Sequence, residues 1–147
     1  MTMHRRPVGR TRLLAAIGGL VVLGGCFLPW WTRGGGADEL TTLTGTAFAG
    51  MGIVVFAAAI ATLALVTLPY ATERPVALDR WSSYALIAAA AWLAFGYRIV
   101  ELGSINAISF GEPAEIITNV PGLWVVGIGL LALTRAAYEM LGEPRLR

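Results

Sequence analysis

The sequence predicts an all-α fold: a four-helix transmembrane bundle running up and down, with both termini cytoplasmic. Three observations predict it. Of the 147 residues, 56% are hydrophobic and only 14% charged, where a soluble domain carries about 25% charged residues. Four separate stretches are apolar over the ~20 residues that a helix needs to cross a hydrocarbon core of ~30 Å. Nine of the eleven arginines fall on one side of the spans that these stretches define. Positive charge is retained on the cytoplasmic side during insertion, so that side is assigned to both termini.

The spans are placed at 13–31, 46–70, 82–100 and 122–141, and the whole chain, 1–147, reads as a single integral membrane domain. Spans one and two hold no ionisable side chain except Cys26 and the terminal Tyr70. A soluble bundle would show a polar face on each helix, and these two have none. Cytoplasmic tails cover 1–12 and 142–147, a cytoplasmic link covers 71–81, and outer loops cover 32–45 and 101–121. Arg5, Arg6, Arg10, Arg12, Arg74, Arg80, Arg135, Arg145 and Arg147 lie inside, with Arg33 and Arg98 outside. The localisation expected is a bacterial plasma membrane.

Aromatic residues mark the same boundaries. Trp30 and Trp31 close span one, Trp81 opens span three, and Trp124 opens span four. These four are assigned as interface anchors, because an apolar ring with one polar atom favours the headgroup level. Pro29, Pro69 and Pro121 fall at span ends, where a missing N–H costs least. Trp92 lies near the middle of span three, where its indole N–H requires a Ser, Thr or carbonyl partner across the bundle.

Small residues recur in every span: Gly18 and Gly25 seven apart in the first, Ala57 and Ala61 in the second, Ala85 and Ala89 in the third, Gly122 and Gly129 in the fourth. In lipid, close backbone approach and interhelical hydrogen bonds hold helices together. The pattern favours a compact bundle without separating contacts within the chain from contacts to a partner. In the loops, Asp38 is placed to cap a turn leading into span two. Residues 111–117, with Pro113 early and Glu112 and Glu115 near the start, read as a short helix lying on the membrane surface.

A competing reading concerns the start. A basic segment, a short apolar run and Leu23-Gly24-Gly25-Cys26 resemble a bacterial lipoprotein signal cleaved before Cys26. Against it, the chain continues as Phe27-Leu28-Pro29-Trp30-Trp31, where a lipoprotein begins with a polar tether. The alternative is a buried Cys acting as a small apolar residue.

The available chemistry is sparse. One Cys excludes an intrachain disulfide framework and any multi-cysteine zinc site. The only His is His4, in a tail, so no span offers an imidazole to haem or metal. No Asp or Glu lies at mid-membrane depth, where proton-coupled carriers keep their coupling carboxylate. No phosphate loop, HExxH, CxxC or GxSxG pattern is present. No catalytic residue, cofactor or metal is therefore expected.

Charges at the span ends remain. Arg98 and Glu101 are three apart at the outer end of span three, spaced to pair on one helical face. One reading is an interfacial ion pair with Arg98 snorkelling outward. The other is a polar outer pocket, joined by Glu112 or Glu115, that contacts a lipid headgroup or a partner. Arg135 and Glu139, four apart, read as a pair at the cytoplasmic end of span four.

Phe-Leu-Pro-Trp-Trp ending the first span, a Gly-rich outer loop, and Pro-Gly-Leu-Trp opening the last span resemble the small four-span membrane proteins common in actinobacteria. An Arg-only, Ala- and Gly-rich composition suits a GC-rich genome of that kind. The resemblance implies no reaction and supplies no catalytic residue.

The function expected is a non-catalytic accessory, scaffold or assembly subunit packing against a larger membrane complex. Its partners would be the lipid bilayer and other membrane subunits or further copies of itself, and not nucleic acid. The alternative is a small oligomeric carrier or channel with Arg98, Glu101 and the outer acids at its mouth. A lipid-modifying enzyme would need Glu101, Glu112 and Glu115 to converge.

Overall fold

Helix α1 spans Arg10–Phe27, and Pro29 sets its end. A residue before proline is pushed out of the helical region, and Leu28 is extended at φ −79°, ψ 160°. This computed structural model describes residues 9–33, 43–71, 80–105 and 118–142. Beyond Pro29, strand β1 (Trp31–Arg33) pairs antiparallel with β2 (Leu43–Gly45), Trp31 opposite Gly45 and Arg33 opposite Leu43.

Residues 46–51 are not helical, against the expected start of the second span. Helix α2 is Gly52–Ala71. Gly50 explains the delay: its φ of +69° is a left-handed conformation that glycine adopts without a Cβ clash, so the chain turns there before the helix begins. Helix α3 spans Trp81–Ser104. Helix α4 spans Pro121–Gly142, with proline at the first helical position, where no N–H partner is needed.

The helices close into a ring, α1 against α2, α2 against α3, α3 against α4, and α4 back against α1. The ends of α1 and α3 and the starts of α2 and α4 share one end, joined by Ala47 N–H to Cys26 O (3.3 Å) and Gly122 N–H to Pro29 O (2.9 Å). This is the ribbon end. Each helix is long and apolar enough to cross a membrane, so the fold is an all-α, up-down four-helix bundle. The β1–β2 ribbon at one end is an addition that hydropathy did not foresee.

The closest pairing is α1 with α4, and glycine makes it possible. A Cβ on Gly129 would lie 2.7 Å from Val22 Cγ2 and 3.0 Å from Gly18 O; one on Gly25 would lie 2.7 Å from Val126 Cγ2 and 2.9 Å from Val126 N. Gly18 faces Gly129, and Gly25 faces Gly122, so the seven-residue spacing on each helix meets its match on an antiparallel neighbour. The small residues of α1 and α4 thus serve a contact within the chain. Between α3 and α4, Trp92 Nε1–H donates to Thr134 Oγ1 at 2.9 Å, and that hydroxyl donates to Leu130 O at 2.8 Å. The mid-span indole therefore has the hydroxyl partner that its burial in a bilayer demands.

The interior has two apolar clusters. One, toward the ribbon end, gathers Cys26, Trp30, Phe95, Leu102 and Val126; the other gathers Ala15, Val66, Tyr84 and Ala136. Between the ends, Thr62 is the one fully buried hydroxyl among the described side chains of α2, and it donates to Ala58 O in its own helix at 2.9 Å.

Candidate functional site

The ribbon end carries the polar chemistry. On α3 the inward stripe runs Ala91, Ala94, Phe95, Arg98 and Leu102, at the 3–4 residue spacing of one helical face. Arg98 therefore points into the bundle. It does not snorkel outward, as the simplest reading of a charge at a span end expected. Its side chain is 7% exposed, and Nη1 bonds Glu101 Oε2 at 2.6 Å, with the Glu101 side chain 37% exposed. Helical spacing made this pair legible, but not its burial.

The turn before α2 makes room for the guanidinium. A Cβ on Gly50 would sit 3.0 Å from Arg98 Nη1 and 3.5 Å from Glu101 Oε2. Gly50 and the 47–51 turn were missed as site residues, since a lone glycine in an apolar run carries no such signal. Arg98 Nε is buried without a hydrogen-bond partner among the described residues. A guanidinium has five donors in a fixed fork, and among the described residues one carboxylate, Glu101, answers it. The arrangement is a largely buried, charge-balanced ion pair.

Trp30 belongs to the apolar cluster at the same end of the bundle. It was expected at the headgroup level, yet it is 0% exposed. The turn at Pro29 swings it inward, where Nε1–H donates to Gly25 O at 3.0 Å and the ring meets Phe95 edge-on, centroids 5.9 Å apart. Trp31 is half-buried and lies over Gly45. Trp81 and Trp124 are exposed in the first turns of α3 and α4, at opposite ends of the bundle. Thr32 Oγ1 donates to Asn119 O at 2.7 Å and ties the ribbon to the approach to α4.

Glu112 and Glu115, the expected surface helix over 111–117, and Asp38 lie outside the described residues. At the far end, Arg135 Nε–H donates to Glu139 Oε1 at 2.7 Å. Among the described residues, no group of three His, Cys, Asp or Glu side chains is placed to hold a metal ion. Among the described residues, the chemistry of the site is that of an ion pair.

Four membrane-length apolar helices packed around an apolar core define a multi-pass helical membrane protein. No family model matches the sequence, and comparison with curated proteins and with solved structures found no match.

Proposed function

We propose that the chain is a non-catalytic accessory or assembly subunit that packs against a larger protein in a bacterial plasma membrane. The observation that supports this most is the sealed interior. Between the ends, the described core is Ala, Val, Leu, Phe and Gly in close contact, and the buried Thr62 is satisfied within its own turn. A carrier needs a polar route or an ionisable coupling group at depth, and the described helices offer neither through their centre. What remains for such a bundle is to bind other helices, with Arg98 and Glu101 as a polar contact for a partner or headgroup at the ribbon end.

Extraction in native-lipid particles, without detergent exchange, tests the proposal. A larger membrane protein should accompany the chain in fixed stoichiometry. A homogeneous oligomer of this chain alone, passing ions or solutes across liposomes, would overturn it and favour the oligomeric carrier with its mouth at Arg98.

The arginine asymmetry supports a cytoplasmic position for both termini. In a Cys26→Ser background, a membrane-impermeant thiol reagent applied to intact cells should label a Cys at Gly35 and spare one at His4. The reverse pattern would discard the orientation.

A further inference from the structure

At the end opposite the ribbon, α3 and α4 diverge around a groove of about 310 Å³. Its sides are Trp81, Trp92 and Tyr138, and its bed includes Ala85 and Ala89, with Thr134 at the deep end. The one polar contact inside is already complete, because Thr134 Oγ1 accepts from Trp92 and donates to Leu130 O. An occupant therefore meets methyl groups and ring faces, and has no hydrogen bond to make.

We propose that this groove seats one acyl chain of an anionic phospholipid from the leaflet on the α2–α3 side. Length supports it. From Trp81 to Trp92 the groove rises about 16 Å at ~1.5 Å per residue, half of a hydrocarbon core of ~30 Å. It runs from a helix end to mid-membrane, the depth of one leaflet. Volume supports it too: a space of 310 Å³ admits a single unbranched chain.

Charge selects the headgroup. Among the described residues, Arg10 and Arg80 lie at this end, where Arg135 and Glu139 neutralise each other. Arg80 is exposed and directly precedes Trp81 at the groove mouth. Basic residues at this level attract anionic headgroups and leave zwitterionic ones unselected.

Native mass spectrometry of the full chain, with phosphatidylglycerol or phosphatidylcholine of the same acyl chains added, tests this. One phosphatidylglycerol should stay bound per chain, at least fivefold more than phosphatidylcholine. Ala89→Leu fills the groove from an exposed position and should cut retention at least fivefold. Leu93→Ala, equally lipid-facing but outside the groove, should leave it unchanged, and Arg80→Gln should bring phosphatidylglycerol down to the phosphatidylcholine level. Equal retention by the Ala89→Leu and Leu93→Ala chains, equal retention of the two lipids, or no lipid held by the unaltered chain overturns the proposal. The partner-binding role proposed above is read from co-purifying protein, so either can fail alone.

Discussion

Gly129→Leu is expected to destabilise the bundle by about 3 kcal/mol or more, at the top of the range for overpacking a filled core. The cause lies in what the new side chain meets. A Cβ alone would come within 2.7 Å of Val22 Cγ2, 2.8 Å of Val22 N and 3.0 Å of Gly18 O. Two of these are backbone atoms of α1, which no rotamer change can move. The helices must separate, and the whole α1–α4 surface from Gly18 to Gly25 loosens with them. In lipid that surface is held by van der Waals contact, which falls steeply with distance. Thermal unfolding in detergent, followed by circular dichroism, should show a large drop in midpoint. Gly96 is the control, since a Cβ there meets nothing within 4 Å. Gly96→Ala should leave the midpoint unchanged or raise it by the ~1 kcal/mol of helix propensity that glycine forgoes. A Gly129→Leu chain melting with the unaltered one would refute the close α1–α4 contact.

The same glycines show how far the sequence could be read. Hydropathy alone located four helices, because a bilayer admits few other ways of satisfying the backbone. The spacing of Gly18 with Gly25 marked a face on the first helix, while Gly122 and Gly129 stood only as small residues of the fourth. Pairing the two needs the antiparallel geometry, which spacing on one helix does not contain. The β1–β2 ribbon was invisible for another reason. Strands of three residues are shorter than the four to eight over which alternation becomes a signal. Trp30 was misplaced because residue type and span position were read together as a headgroup anchor. Its burial depends on which way the chain turns after Leu28, and that direction is set by contacts with Phe95 and the start of α4.

Arg98 teaches the same lesson with a sharper consequence. A charge near a span end was expected to reach for water, but its helical register with Ala91, Phe95 and Leu102 turns it inward. Register was present in the sequence; the turn at Gly50 that leaves space for the guanidinium was not.

Loss of Glu101 should therefore cost more than loss of Arg98. In Glu101→Gln the guanidinium remains buried at 7% side-chain exposure with no counter-charge, and breaking a buried pair in this way costs about 3 kcal/mol or more. In Arg98→Met a flexible apolar chain of similar length fills the space. The Glu101 carboxylate left behind is 37% exposed, so it can be hydrated, and replacement of a buried ion pair by apolar groups is often neutral, within about 1 kcal/mol, or stabilising. Arg98→Met/Glu101→Gln should melt close to Arg98→Met alone, since the penalty of the carboxylate's removal exists only while the cation is present. Equal losses from the two single substitutions would contradict an inward Arg98, because an exposed pair contributes only ~0–1 kcal/mol from either side. The folded Arg98→Met chain then separates structure from function. If the guanidinium is a contact for a partner, this chain should melt normally yet lose its stoichiometric companion on extraction. Undiminished co-purification would leave the ion pair with no role in docking and move the binding surface to the lipid-facing sides of the helices.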